Sequence, residues 1–397
     1  MRILQVVPSF LPGWRYGGPI RSVYGLSQAL RAAGHEVEVF TSNRDQQVIL
    51  DVPHNEPVDL DGLTVRYFRT KGPARLRYSP DLDTEIERSA GRFDVAHVHG
   101  VFNWLSYASA RSARRAGIPY VISPRGMLMK DAIALRSRAR KGLWLRLLER
   151  ENLEGAGAIH LTADNEIAEL PNLKGLDWPP RHLVPNGVEA TTWSGDATRL
   201  DPQVRALIER GPFVLFLGRL NWKKGLDRLV EAAAVCDERV HFAIVGPDDG
   251  YRKTVLRRRK RLGLEQRITV LEATAGEDRK ALLDAARVAV LPSYSENFGN
   301  AAVESMAVGC PVVVTPEVGM APFVTRFGAG AVVEGRPELL ARQLERLVLD
   351  DAAHATASAG ARRAYEEALG WPSCARAMEA VYADAQRVTA ECRARTA

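Results

Sequence analysis

Cysteines are few in this chain and long apolar runs are missing, and both shortages narrow its class. Only Cys236, Cys310, Cys374 and Cys392 occur in 397 residues, and they show neither metal-ligand spacing nor a disulfide framework. That fits a reducing compartment. No segment approaches the roughly 18 unbroken apolar residues of a membrane helix. The apolar stretch after Arg2 is one strand long and runs into Pro8 and Pro12, so no targeting peptide is expected and a cytoplasmic protein is. A Gly-x-Gly-x-x-Gly turn is missing as well, which leaves a nicotinamide or flavin dinucleotide unsupported.

The composition, 46% hydrophobic and 26% charged, is that of an ordinary globular protein. Its 397 residues exceed one ordinary core and call for two domains. A formal charge of +6 favours anionic partners, among them nucleotides, nucleic acid and acidic lipid surfaces. Two runs concentrate the charge. In the first, Arg136-Ser-Arg-Ala-Arg-Lys141 with Arg146 and Arg150 is interleaved with Leu135, Leu143, Trp144, Leu145, Leu147 and Leu148. It reads either as a long helix with one core face or as a basic amphipathic helix over 135–150 that touches a membrane surface. In the second, Arg252-Lys253 with Arg257-Arg-Arg-Lys-Arg261 lacks aromatic residues to stack on bases and reads as a solvated face, so no nucleic-acid partner is expected.

Strand and helix signals alternate along the chain, which gives an α/β class with doubly wound sheets. Expected strands of the first half are Ile3–Val7, Val37–Thr41, Thr64–Phe68, Val95–His99, Tyr120–Ser123, Ala158–Leu161 and His182–Val184. Those of the second half are Phe213–Leu217, His241–Val245, Ile268–Leu271, Val288–Leu291 and Val312–Val314. Apolar residues at helical spacing place helices over Ile20–Ala33, Leu226–Cys236, Lys280–Ala286, Leu339–Leu349 and Trp371–Val388. The polar stretch Val188–Asp201 follows Asn186-Gly187 and marks the boundary between two Rossmann-like halves. Ligands of such sheets bind beyond the C-terminal ends of the strands.

Glu296 and Glu304 stand with seven residues between them in Ser293-Tyr-Ser-Glu-Asn-Phe-Gly-Asn-Ala-Ala-Val-Glu-Ser-Met-Ala307, directly after the apolar strand Val288–Leu291. A helix starting near Asn300 puts Glu304 one turn in. It leaves Glu296 and the loop Asn297, Phe298, Gly299, Asn300 at the N-terminus, where free N–H groups favour an anion. Upstream, Arg219 follows the strand Phe213–Leu217, and Lys224 lies just before the next helix. Arg supplies a fork of donors and Lys a point charge, a pair suited to a phosphate.

With these segments the chain resembles the retaining glycosyltransferases of family 4. The resemblance rests on the Glu-x7-Glu segment, Met1-Arg-Ile-Leu-Gln-Val-Val-Pro8 with Gly17-Gly18, Asp94-Val-Ala-His-Val-His99, Pro185-Asn-Gly-Val188, Gly218-Arg-Leu-Asn-Trp-Lys-Lys-Gly225 and Trp371, and so covers nearly the whole chain. It implies the GT-B fold, two Rossmann-like α/β/α domains facing a central cleft. The expected division is 1–190 on the acceptor side, 191–370 for the nucleotide sugar, and a C-terminal helix in 371–397 crossing back to the first domain.

The resemblance also implies roles. Gly17 and Gly18 form the glycine loop over the donor. Arg219, Lys224 and the Asn297–Asn300 amides take the diphosphate, Glu304 the ribose hydroxyls, and Glu296 the hydroxyls of the transferred sugar. His99 matches the second histidine of a His-x-His segment, poised to bond the donor sugar and to offer its carbonyl to the anomeric carbon. Arg125, in Ser123-Pro-Arg-Gly-Met127, stands where relatives often carry His-Gly. It reads either as a contact to an acidic acceptor group or donor-sugar oxygen, or as a bracing salt bridge. Asp59-Leu-Asp61 and Asp81-Leu-Asp83 are expected in loops outside these motifs, so no metal and no cofactor are expected. The donor expected is a UDP- or GDP-linked sugar and the acceptor a glycan, a lipid-linked or a small-molecule hydroxyl, as in bacterial surface-polysaccharide assembly. A sugar-nucleotide epimerase or hydrolase of similar fold is the alternative reading. A charge-driven nucleic-acid binder is a more distant one.

Overall fold

A computed structural model describes all residues except 14–17, 75, 135–137, 172–175, 191–192 and 397. The chain divides into two units, one made of Met1–Gly187 with Trp371–Ala397 and the other of Val188–Gly370. In the first, the strands are β1 (Arg2–Val7), β2 (Glu36–Ser42), β3 (Arg44–Asp45), β4 (Val48–Ile49), β5 (Pro57–Leu60), β6 (Leu63–Phe68), β7 (Val95–His99), β8 (Tyr120–Ser123), β9 (Ala158–Leu161) and β10 (Arg181–Leu183). Eight of them form one sheet in the order β10-β9-β8-β7-β1-β2-β6-β5, while β3 and β4 pair separately as a short hairpin. Only the β5–β6 pair of that sheet is antiparallel.

Such a sheet needs cover on both faces, because its strands are apolar on both. Alternate residues provide the two cores. Ile3, Val7, Val39, Val65, Val95 and Val121 face the helix Gly18–Ala32 and the C-terminal helix Trp371–Thr396, which contributes Met378, Val381, Tyr382 and Ala385. Leu4, Val6, Phe40, Val98, Ile122 and Ile159 turn the other way, toward Leu82, Ile86, Leu105 and Leu153.

The second unit holds β11 (Phe213–Leu217), β12 (His241–Val245), β13 (Ile268–Leu271), β14 (Val288–Leu291), β15 (Val312–Val314) and β16 (Gly330–Val332). All run parallel in the order β13-β12-β11-β14-β15-β16. In each sheet the strand order reverses direction at one point, between β1 and β7 in the first and between β11 and β14 in the second. Those reversals leave a crevice at the strand ends and so fix where a ligand can sit in each unit.

The expected strands are all found, displaced by at most a residue at their ends. The edge strands β5 and β16 and the hairpin were not anticipated, because each strand is only two to four residues long. Asp59 lies on β5 rather than in a loop, with Asp61 in the turn that follows. Asp81 and Asp83 lie in the first turn of the helix Pro80–Arg88, where Pro suits the first position and acids suit the positive end.

The stretch expected as one helix over 135–150 is interrupted. Beyond residues 135–137, which lie outside the described residues, a helix Arg138–Trp144 widens into a π-helical turn Leu145–Glu149 and continues as Arg150–Glu154. The wide turn buries Leu145 and Glu149 and gives the Glu149 carboxylate the Trp144 indole N–H at 2.9 Å. The second basic run forms the helix Arg252–Arg261, in which Val255 is the buried residue.

Candidate active site

In the second unit, Gly218-Arg219 leave the end of β11, and the segment from Ser293 to the helix Asn300–Ala307 leaves the end of β14. The two strands are neighbours, so both segments reach the same crevice. The local geometry depends on two glycines. Gly225 has φ 64° and approaches Pro292 so closely that a Cβ would stand 2.0 Å from its carbonyl oxygen. Gly299 has φ 104°, and a Cβ there would meet Val318 Cγ1 at 2.9 Å. Both positions exclude other residues on sterics alone. Phe298 is buried beneath the loop, and its carbonyl accepts from the Met320 amide at 2.9 Å.

Each of the paired glutamates has a cation. The Lys224 ammonium donates to Glu296, and the Arg279 guanidinium donates to Glu304. All four side chains are between 18% and 25% exposed, so these charges are shielded from bulk water yet reachable. Arg219 is different. It is 68% exposed and pairs with Asp249 at 3.1 Å, an arrangement that solvent screens. At the helix start, Asn300 Oδ1 is buried with no hydrogen-bond partner among the described residues. The first-turn amides there point away from the helix, as at any helix N-terminus.

The first unit gathers a second cluster at its own reversal point. The register pairs Gln5 with His97 across β1 and β7, and His99 with Ser123 across β7 and β8. His160 follows on β9. A period of two puts all of these polar side chains on the sheet face that the C-terminal helix covers. They are buried, and they bond to one another.

The direction of each bond follows from its neighbours. The Val184 carbonyl accepts from His160 Nε2 at 2.9 Å, so His160 Nδ1 bears no proton and accepts from the Ser123 hydroxyl at 2.6 Å. Ser123 Oγ then accepts from His97 Nε2 at 2.7 Å, which leaves His97 Nδ1 to accept from the Tyr382 hydroxyl at 2.9 Å. Tyr382 in turn accepts from the Gln5 amide at 3.1 Å, and the Gln5 carbonyl accepts from His99 Nε2 at 2.7 Å. His99 Nδ1 is the remaining acceptor, and Arg125 Nη2 donates to it at 3.2 Å. A neutral imidazole has one donor and one acceptor nitrogen. Here every one is used.

Burial holds His97, His99 and His160 below their ordinary pKa, with the Arg125 charge acting in the same direction, and His160 falls to about 3. The neutral state that the bond directions require is therefore the state the surroundings favour. Arg125 itself sits at φ 55° and also donates through Nη1 to Asn186 Oδ1 at 2.6 Å. The Ser106 hydroxyl donates to the carbonyl of His99 at 2.8 Å.

The residues expected from the sequence thus fall into two groups. Arg219, Lys224, Glu296, Asn297, Phe298, Gly299, Asn300 and Glu304 gather in the second unit, and Gly18, His99 and Arg125 belong to the first. Gly17 lies outside the described residues. Both ring nitrogens of His99 are engaged within the protein. Arg125 forms no ion pair among the described residues, which removes the bracing salt bridge as its role. Sequence reasoning passed over Gln5, Ser123, His160, Tyr382 and Arg279. The signal for Gln5 and His160 was a polar residue inside an apolar strand, which must find a partner when buried. Arg279 carried no such signal. Among the described residues no group of His, Cys, Asp and Glu is placed to hold a metal ion, and no helix is long and apolar enough to cross a membrane.

Two protein families match the chain. That described as "Glycosyl transferases group 1" matches residues 198–364, and that described as "Glycosyl transferase 4-like domain" matches residues 17–187. A protein of Xylanimonas cellulosilytica named D-inositol 3-phosphate glycosyltransferase is 32% identical over 395 residues, spanning 94% of this chain and 92% of its own. Among solved structures, Anabaena Alr3699/HepE in complex with UDP and glucose superposes with a TM-score of 0.70 at 18% identity, over 96% of this chain and 99% of the other. Sucrose-phosphate synthase from Thermosynechococcus elongatus gives 0.68 at 22% identity, over 96% and 98%. At these identities the two structures bear on the fold alone.

Proposed function

This chain belongs to the nucleotide-sugar-dependent glycosyltransferases of family-4 type, with two Rossmann-like domains of the GT-B fold, and on that premise we propose how its residues divide the work. The observation that carries the reading is the crevice of the second unit, where Lys224, Glu296, Glu304 and the start of the helix Asn300–Ala307 surround the ends of β11 and β14.

In our reading Lys224, helped by Arg219 and the Asn297–Asn300 amides, neutralises the departing diphosphate without a metal ion. Glu304 accepts from the ribose hydroxyls and Glu296 from hydroxyls of the transferred sugar. Lys224 and Arg279 pair with the two carboxylates and keep them oriented until substrate arrives. The bond from the anomeric carbon to the phosphate oxygen breaks, and a bond to the acceptor oxygen forms on the same face. The acceptor's proton passes to the departing phosphate oxygen, and configuration is retained. We assign the contribution of His99 to its backbone carbonyl, since its ring is committed to Gln5 and Arg125.

The donor we propose is a UDP- or GDP-linked sugar, and UDP is the first nucleotide to test, since Anabaena Alr3699/HepE, a protein of the same fold, has been seen with UDP and glucose. For the acceptor we propose a hydroxyl of a glycan, lipid-linked or small polar molecule, in keeping with surface-polysaccharide assembly. Leu143 and Leu147, 58% and 66% exposed beside Arg146, support a peripheral membrane contact of that part of the first unit. Nothing favours the epimerase reading. Thermal shift with UDP-, GDP-, ADP- and dTDP-sugars, followed by product analysis, tests the proposal. A glycosylated acceptor with retained configuration is expected. A free epimer formed without acceptor would overturn it.

A further inference from the structure

Trp222 and Tyr294 expose rings that a globular domain ordinarily covers. Trp222 is 56% exposed and Tyr294 37%, whereas the other large apolar side chains exposed on the second unit among the described residues, Val235, Leu262 and Leu349, are aliphatic. The two aromatic rings are also neighbours, with centroids 6.4 Å apart and planes tilted by 39°. They come from separate stretches of sequence, Trp222 from the turn after β11 and Tyr294 from the segment after β14. Single exposed apolar residues are common on any protein, but two rings brought together from different segments call for a partner.

The chain beneath both rings is fixed. The Tyr294 amide donates to the Lys223 carbonyl at 2.7 Å, and the Tyr294 hydroxyl donates to Asp227 Oδ2 at 2.9 Å. The Arg228 guanidinium lies 3.5 Å from the centroid of the Tyr294 ring and covers one face, while Arg228 Nη1 donates to the Pro292 carbonyl at 3.2 Å. Trp222 opens a 3-10 turn that Asn221 caps, its Oδ1 accepting from the Lys223 amide at 2.8 Å, and that Gly225 closes. Rings held in place before binding give up little conformational entropy when a ligand arrives. The cations beside them are engaged, Arg219 with Asp249, Lys224 with Glu296 and Arg228 with Tyr294.

Such a surface suits few ligands. A stable protein interface covers about 800 Å² on each partner, far more than two rings with a polar surround supply. A nucleic-acid strand needs its stacking rings beside a groove of free cations, which engaged cations do not form. A pyranose needs less. The hydrogens on its C–H face carry slight positive charge and rest against the negative face of an aromatic ring, and its hydroxyls take polar groups at the edge, here Asn221, Lys223, Asp227 and Asp249. Resting on the transferase reading above, we propose that Trp222 and Tyr294 form a carbohydrate-stacking subsite for an acceptor glycan, holding sugar units remote from the one that is glycosylated. Trp222 lies two residues before Lys224 and Tyr294 two before Glu296, so the rings mark the exposed rim of the crevice that holds those charges. Their tilt suits successive sugars, which turn relative to one another along a glycan.

The test is the fluorine spectrum of full-length protein labelled with fluorotryptophan, with the Trp222 signal assigned by its loss in Trp222→Phe. Cellotetraose and maltotetraose are titrated in the presence and absence of saturating UDP. A saturable shift of the Trp222 signal that persists with UDP bound, with a dissociation constant on the order of 1–10 mM, is the expected result. Saturation transfer to the saccharide should weaken at least about fivefold in Trp222→Ala, the lower end for losing one stacked ring, while UDP affinity is unchanged. Stacking reads the face of the sugar rather than its pattern of hydroxyls, so no shift with either saccharide up to about 50 mM would overturn the proposal. A shift that UDP abolishes would assign the rings to the donor and overturn it too. Because the wild-type signal is read directly, a poorly folded variant does not spoil the experiment. If UDP fails to bind at all, the transferase reading fails, while the saccharide response of Trp222 is still measured separately.

Discussion

Replacing Tyr382 with Phe removes one oxygen from the interior of the first unit and keeps the ring that fills the core. The hydroxyl donates to His97 Nδ1 at 2.9 Å and accepts from the Gln5 amide at 3.1 Å. Its loss strands one acceptor and one donor, both wholly buried. Each such group costs about 1–3 kcal/mol when left unpaired, so the variant should lose about 2–4 kcal/mol, with part recovered by local adjustment. The effect on chemistry follows from the direction of the bonds. Without the hydroxyl, nothing fixes the Gln5 amide, which can turn its N–H toward His99 Nε2. His99 would then carry its proton on Nδ1, facing the Arg125 guanidinium, and Arg125 would be displaced. Urea unfolding reads the first consequence. Transfer kinetics read the second, with turnover expected to fall about tenfold, the scale of about 1.4 kcal/mol, while UDP affinity stays unchanged. A stability loss below about 0.5 kcal/mol together with normal turnover would refute the directed network, since no buried group would have been left unpaired.

Burial raises the Glu149 carboxyl to about 7, above its value of about 4.3 in an unfolded chain, so the folded protein retains a proton across that interval that the unfolded chain has released. Stability from this group therefore falls as pH rises from about 4.5 to about 7, and Glu149→Gln should gain on the wild type by about 1.4 kcal/mol per pH unit there. Urea midpoints at pH 5 and pH 8 decide it, and an equal offset at both would contradict the assignment. The buried histidines have the opposite sign: held below their ordinary pKa, they cost stability as pH falls below about 6.5. Lys224→Ala should lower transfer on the order of 100-fold and Arg219→Ala clearly less, because Arg219 is exposed and screened; equal losses would show that exposure misleads here. Glu304→Gln should weaken free UDP by about 1–3 kcal/mol in calorimetry, whereas Glu296→Gln should spare UDP and depress transfer. The reverse pattern would exchange their roles. Activity should survive chelation by EDTA, and a strict need for a divalent ion would contradict charge neutralisation by Lys224.

The strands and the boundary near Asn186 were legible because parallel core strands are short apolar runs with turn residues at both ends, as Phe213–Leu217 and Val288–Leu291 illustrate. The crevice of the second unit was legible for a related reason. Its residues fall within two short stretches, 218–225 and 293–304, each tied to the end of a strand, so adjacency in sequence becomes adjacency in space once β11 and β14 pair. Arg279 escaped because it reaches Glu304 from a helix whose sequence gives no spacing to measure against. The interruption at Leu145–Glu149 escaped because helical periodicity does not record a wide turn. It depends on Glu149 turning inward to the Trp144 indole.

The network of the first unit was hidden for a deeper reason. Gln5, His97, His99, Ser123, His160 and Tyr382 are spread over nearly the whole chain, and no two share a motif except His97 with His99. What unites them is the sheet. Parallel strands place the second, fourth and sixth residues of successive segments in rows on one face, so a row of polar residues arises whenever several strands carry one at equivalent depth. A buried row of that kind is unfavourable unless every member is paired, and pairing neutral imidazoles end to end has two possible senses. The Val184 carbonyl at one end and the Arg125 guanidinium at the other select one of them, because the first can only accept and the second can only donate. The cation is therefore part of what orders the row, and the row in turn keeps the cation oriented with donors to spare. Each end alone sets the sense of the bonds, and the two agree; neither lies beside His97, His99 or His160 in the sequence, which is why neither Arg125 nor the histidines could be assigned from their own surroundings there.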